Sequence, residues 1–169
     1  MSHRLLFLIA FVAFVPAAAD AQPRLMLGAG VSSPNGDVTD VAGTGFHGQV
    51  GLFVAIPTLP VGMRADGVYH RLGAASSAPD RTGILAGTLS LVYTLPGIGL
   101  VPYLLAGGGS YRTDLGGAPE SSTDTGYHGG FGVNLGTGGL GGFAEIRYVQ
   151  ISSDGGTIRL IPVTFGFRL

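Results

Sequence analysis

The chain has 169 residues and a net charge of −1, with no cysteine and no lysine; only 11% of its residues are charged, while 31 are glycine. An ordinary soluble domain carries roughly 25% charged residues, and each Gly inside a helix costs about 1 kcal/mol relative to Ala, so this composition describes a β chain with little charged surface. Without lysine or a basic excess, nucleic-acid binding and a Walker-type phosphate loop are excluded, and without cysteine an exported chain of this size has no disulfide to hold it.

Residues 1–21 read as a secretory signal peptide. Arg4 supplies the basic start, Leu5 to Val15 the apolar run, and Ala19-Asp20-Ala21 the small-residue cleavage site. Pro16 breaks the run, which is shorter than the roughly 20 residues of a membrane-spanning helix. A cleaved leader is therefore expected rather than an anchor, leaving 22–169 as one domain. No later segment approaches 18 unbroken apolar residues, so helical spans are not expected.

From there alternation at period two runs almost to the end. It predicts strands over 24–32, 46–56, 61–71, 83–94, 100–111, 126–135, 142–151 and 158–169. Each is about the 9–11 residues of a tilted transmembrane strand. "PTLP" (57–60), "PGIG" (96–99) and "GTGGLG" (136–141) are short turns. "SSPNGDVTDVAGTG" (32–45), "GAASSAPDRT" (73–82), "TDLGGAPESSTDT" (113–125) and "SSDGGT" (152–157) are mostly longer, and rich in Gly, Ser, Thr and Asp. Long loops thus gather at one end, short turns and both termini at the other. Three successive hairpins centred on the short turns form a weak repeat of the kind a closed up-and-down barrel shows.

Side-chain parity separates two faces. Strand two sets Phe46, Val50, Leu52, Val54 and Ile56 against His47, Gln49 and Gly51; strand three sets Val61, Met63, Ala65 and Tyr69 against Arg64, Asp66 and His70. Strand four opposes Leu85, Leu89, Leu91 and Tyr93 to Ala86, Thr88 and Ser90, and strand six opposes Tyr127, Phe131, Val133 and Leu135 to His128, Gly130 and Asn134. The second face suits the narrow interior of an eight-stranded barrel, which side chains just fill, and the greasy face then meets lipid.

All six tyrosines fall on the greasy parity by this reading. It places Phe46, Tyr69, Tyr111, Tyr127 and Tyr148 toward the long-loop end and Tyr93, Tyr103, Phe165 and Phe167 toward the short-turn end, as two interfacial aromatic girdles. In strand eight, Ile161, Val163, Phe165, Phe167 and Leu169 face lipid while Thr164 and Gly166 face the lumen. The expected fold is an all-β, eight-stranded antiparallel up-and-down transmembrane barrel.

"RADGVYHR" (64–71), "PYLLAGGGSY" (102–111), "FAEIRY" (143–148) and the closing "PVTFGFRL", behind a signal peptide, resemble the small outer-membrane β-barrel proteins of the OmpA/OmpX type over the whole mature chain. The resemblance implies the outer membrane, both termini in the periplasm, lipid and lipopolysaccharide as surroundings, and a C-terminal strand read by the barrel-assembly machinery. Such proteins usually end on an aromatic residue; here the last residue is Leu169, with Phe167 two before it.

Four charged residues sit on interior parity, Arg64 with Asp66 on strand three and Glu145 with Arg147 on strand seven. Those strands oppose each other in a barrel of eight, so the four can meet as a neutral structural network, because buried charges are tolerated only when paired. His47, His70 and His128 are also interior, but strand six lies far around the barrel from strands two and three. No metal site or cofactor is assigned. No Ser, His and carboxylate gather on the lipid-facing wall, so no catalytic residue is assigned either. Porin activity is limited by eight strands and by Phe53 and Phe143 in the lumen. Asp37, Asp40, Asp80, Asp114, Glu120, Asp124 and Asp154 would form an acidic rim on the long loops. The leading expectation is a non-enzymatic structural or surface-interaction protein. The alternatives are a soluble secreted lipocalin-like barrel with inverted parity, holding an apolar ligand, and a membrane-embedded lipid A-modifying hydrolase.

Overall fold

Alternating side chains can serve lipid on one face and a lumen on the other only if the sheet has no edge, since an unpaired backbone group in hydrocarbon costs several kcal/mol. The computed structural model, which describes residues 22–35, 42–74, 82–115, 121–136, 140–153 and 156–169, meets that condition. Its strands are β1 (Arg24–Asn35), β2 (Ala42–Ala55), β3 (Val61–Ala74), β4 (Thr82–Thr94), β5 (Leu100–Leu115), β6 (Ser122–Leu135), β7 (Gly141–Ser153) and β8 (Gly156–Arg168). Each pairs antiparallel with its sequence neighbours, and β8 closes on β1 from Met26↔Arg168 to Asn35↔Arg159. The seam is finished by main-chain hydrogen bonds between Leu25 and Leu169, at 3.0 and 2.8 Å. The leader expected over 1–21 lies outside the described residues.

All eight expected strands are present, but several run further toward the long loops than their apolar alternation does. β2 begins at Ala42 rather than 46, β5 ends at Leu115 rather than 111, and β6 begins at Ser122 rather than 126. Ladder hydrogen bonds do not depend on side-chain polarity, so pairing persists where Gly, Ser, Thr and Asp replace the greasy face. Phe46, Tyr69, Tyr127 and Tyr148 stand outward a few residues below these ends, and about nine residues separate them from the short turns, the reach of a transmembrane strand. Tyr93, Phe165 and Phe167 are exposed at the short-turn end. Between the two levels the outer wall is apolar: Leu27, Val50, Leu89, Leu91 and Phe131 are all exposed.

Tyr103 and Tyr111 correct the girdle assignment. Each is only 2% exposed, and both point into the lumen. On β5 the odd positions carry Val101, Tyr103, Leu105 and Tyr111, the even ones Leu104, Ala106, Gly108 and Ser110, and bulk alone points the wrong way. Register settles it: Leu89↔Gly108 and Leu91↔Ala106 put the even residues outside, while Ser90↔Gly107 and Val92↔Leu105 put the odd ones inside. Glycines of β6 make the room. A Cβ on Gly132 would collide with the Tyr103 ring, and one on Gly126 would lie 2.8 Å from Tyr111 Cε2.

The lumen is layered. Leu72, Ile84, Tyr111, Ile151 and Leu160 form an apolar plug at the long-loop end, a layer the expectation of a small, polar interior does not contain. Beneath it come histidines and hydroxyls, then charged residues, then Phe53, Val92, Tyr103 and Leu105.

Candidate functional site

Residues two apart on a strand share a face, so Arg64 with Asp66 and Glu145 with Arg147 each point inward as a pair. β3 and β7 lie four strands apart in the closed order of eight, which sets the pairs opposite one another across the lumen. They meet as a ring of alternating charge. Arg64 Nε donates to both Asp66 oxygens (2.8 and 3.0 Å), and its Nη1 and Nη2 donate to Glu145 Oε2 and Oε1 (2.7 and 3.2 Å). Arg147 Nη2 donates to Asp66 Oδ2 at 2.8 Å, and Arg147 Nε donates to Glu145 Oε1.

Tyr103 adds a fifth member, its hydroxyl donating to Glu145 Oε2 at 2.6 Å. The Arg64 guanidinium carbon sits 5.8 Å from the centre of the Phe143 ring. Every carboxylate oxygen thus accepts at least one charge-assisted or hydroxyl hydrogen bond, the condition under which buried ions are tolerable. None of the four charged residues is more than 5% exposed.

His47 and His70 face each other directly across β2 and β3, their rings 5.2 Å apart. Ser32 bridges them, its Oγ lying 2.9 Å from His47 Nδ1 and 2.8 Å from His70 Nδ1. One hydroxyl proton serves only one of these nitrogens, so the other ring donates its own Nδ1–H. His47 Nε2 continues to Thr164 Oγ1 at 2.8 Å. His128 stands apart from this cluster, with Nε2 2.8 Å from Ser90 Oγ, and its Nδ1 has no hydrogen-bond partner among the described residues.

The serine partners are what sequence reasoning missed. Ser90 lies on the interior parity, but its reach across Gly107 to His128 depends on the β4–β5–β6 register. Ser32 sits on β1, where Leu25-Met26-Leu27 gives no clear face. Chemically these are hydroxyl–imidazole contacts without an orienting carboxylate: Asp66 and Glu145 are taken by arginines, and Ser32 is fully buried. Nor do three metal-ligating side chains converge among the described residues. Of the acidic rim, Asp37, Asp40, Asp80, Glu120 and Asp154 lie outside the described residues. Asp114 is exposed on β5, and Asp124 accepts a 2.8 Å hydrogen bond from Ser122.

At the short-turn end the lumen opens into a cavity of about 620 Å³ floored by Arg64 and Tyr103, with Arg24, Asn134 and Arg168 on its walls.

The family model for the outer membrane protein beta-barrel domain matches residues 5–168. Among solved structures, the chain is similar to Neisserial surface protein A (NspA) at 20% identity and a TM-score of 0.72, over 88% of this chain and 97% of that one. It is similar to the N-terminal β-barrel domain of Pseudomonas aeruginosa OprF at 16% identity and a TM-score of 0.54, over 88% and 99% of the two chains. Ail of Yersinia pestis, solved in complex with the heparin analogue sucrose octasulfate, is similar at 15% identity and a TM-score of 0.55, again over 88% and 99%. A comparison with curated protein sequences gives no significant match.

Proposed function

The chain belongs to the outer membrane protein beta-barrel family, and from that membership we propose that it is a non-enzymatic membrane post that holds four long loops at the cell surface, with both termini in the periplasm. The observation that carries this reading is the buried ring of Arg64, Asp66, Glu145 and Arg147, which spans the lumen beneath an apolar plug. A barrel built to conduct would keep that space wet, and a hydrolase acting on membrane lipid would set its nucleophile on the outer wall. Here the hydroxyl–imidazole pairs face inward.

The loops are the variable that remains. Their sequences carry Asp37, Asp40, Asp80, Asp114, Glu120, Asp124 and Asp154 against few arginines. A polysulfate such as the heparin analogue held by Ail is therefore not the partner expected; a neutral or cationic surface is. Lipopolysaccharide surrounds the barrel, and the assembly machinery reads β8, which carries Phe165 and Phe167.

Protease treatment of intact cells tests orientation and display together. Cleavage within 113–125, with no cleavage at 96–99 until the cells are opened, is the expected result. Cleavage at 96–99 in intact cells would invert the topology and end the proposal, as would lipid A whose acylation changes when the protein is expressed.

A further inference from the structure

The cavity at the short-turn mouth has a chemistry that neither the ring nor the loops use. Its volume, about 620 Å³, is within the range of roughly 300–1,000 Å³ usual for small-molecule sites. Its wall is divided. Met26, Phe53, Val92 and Val101 supply an apolar surface, and Arg24 and Arg168 stand at the rim.

That rim carries no acidic side chain. Within 22–169, every acidic residue belongs either to the ring or to the long-loop side; the strand halves and turns around the mouth contain none. Among the described residues, neither Arg24 nor Arg168 is paired to a carboxylate, and the ring behind them is neutral. Arg168 pairs with Met26 across the closing seam, and Arg24 lies on the same face two residues nearer the mouth, so two like charges share neighbouring strands. Inside a low-dielectric wall such a pair focuses a positive potential into the opening.

A buried polar atom points the same way. Arg168 Nε, on a residue of the cavity wall, has no hydrogen-bond partner among the described residues. A buried donor left without an acceptor costs about 1–3 kcal/mol, more when it is charged. Water could satisfy that donor but would gain nothing from the apolar side of the cavity.

We propose that this mouth is a binding site for a soluble amphiphilic organic anion, its phosphate or carboxylate head held by Arg24 and Arg168 and its apolar body lying against Met26, Phe53 and Val92. The strands separate the cavity from the bilayer, so a lipid headgroup can reach the rim from outside but its chains cannot enter. The site is independent of which face of the membrane the mouth occupies.

The test uses the folded barrel in phosphatidylcholine nanodiscs, with NMR signals of the Met26 methyl and the arginine Nε–H groups as reporters and phenyl phosphate as the probe. Saturable shifts at Met26 and Arg168 are expected, with a Kd on the order of 1 mM or tighter for a ligand of this size. Inorganic phosphate and benzyl alcohol, each supplying half of the chemistry, should bind at least tenfold more weakly. Arg24→Gln, at an exposed position, should weaken phenyl phosphate severalfold, and the Arg24→Gln/Arg168→Gln pair at least tenfold while keeping heat-modifiable mobility. Benzyltrimethylammonium binding as well as phenyl phosphate would overturn the proposal, and so would unchanged affinity in the folded Arg24→Gln variant. Shifts reproduced by phosphatidylglycerol in the disc without added probe would assign the rim to lipid instead.

Discussion

Arg64→Met tests whether the ring acts as a unit. Nitrogen–oxygen contacts of 2.7–2.8 Å on its sides place neighbouring charge centres about 4 Å apart and like charges on the diagonals about 5.7 Å apart. At an effective dielectric near 20, each side is worth about 4 kcal/mol of attraction and each diagonal about 3 kcal/mol of repulsion. Removing Arg64 forfeits two sides and relieves one diagonal, a loss of about 5 kcal/mol before desolvation is credited back, consistent with the roughly 3–5 kcal/mol usual for breaking a buried pair. Once Arg64 is gone, Glu145 keeps one side, to Arg147, and one diagonal against Asp66. Glu145→Gln should then cost only about 1 kcal/mol, against about 5 kcal/mol in the native barrel. The measurement is urea-dependent folding into phosphatidylcholine vesicles, read by heat-modifiable mobility, for both single variants and the double. A coupling energy of several kcal/mol is expected; strictly additive losses would show that β3 and β7 do not communicate across the lumen.

Leu89→Arg, on the outer wall near the middle of β4, should cost roughly 2–4 kcal/mol of insertion free energy, while Ser90→Ala should cost about 1 kcal/mol through the lost partner of His128; the reverse order in the same assay would mean the faces are misassigned. Tyr103→Phe removes a donor from the Glu145 carboxylate and should destabilise by about 1.5–3 kcal/mol, whereas the outward Tyr93→Phe should be nearly silent; equal small effects would put Tyr103 outside the network. Thr58 occupies the third position of a turn closed by Leu59 N–H donating to the Ile56 carbonyl at 3.2 Å, with Pro57 before it and a φ of 69°. Thr58→Gly should stabilise the barrel by up to about 1 kcal/mol by relieving that left-handed conformation, and any loss of stability would show that the Thr58 side chain contributes there.

Most of this architecture is readable from alternation, because a membrane barrel has only two environments and each strand must sort its side chains between them. Strands β3 and β7 were legible down to their faces: Arg64, Asp66, Glu145 and Arg147 each exclude the lipid side. β5 was not. With no charge below Arg112 and with Leu104 and Leu105 adjacent, either parity satisfies hydrophobicity, and only pairing with β4 reveals that Tyr103 and Tyr111 are interior. Contacts set by register across a whole strand, such as Ser90 with His128, were likewise beyond the reach of a one-dimensional pattern.

The same contrast explains why ions occupy a space that leucines could fill. In a barrel with an apolar wall on both sides, a strand slipped by one residue would exchange its faces at little cost, since lipid and an apolar lumen accept the same side chains. With the ring in place, a slip of β3 would carry Arg64 and Asp66 into hydrocarbon and leave Glu145 and Arg147 with only each other. A midplane arginine alone costs roughly 2–4 kcal/mol there. The native register therefore stands apart from its neighbours by more than the ring adds to stability, since a buried ion network of this kind often contributes little net stabilisation relative to an apolar core. The ring lies on two opposed strands, so fixing β3 and β7 constrains the six between them through the closed ladder. A strand such as β5 can then leave its own inside and outside unspecified and take them from its neighbours.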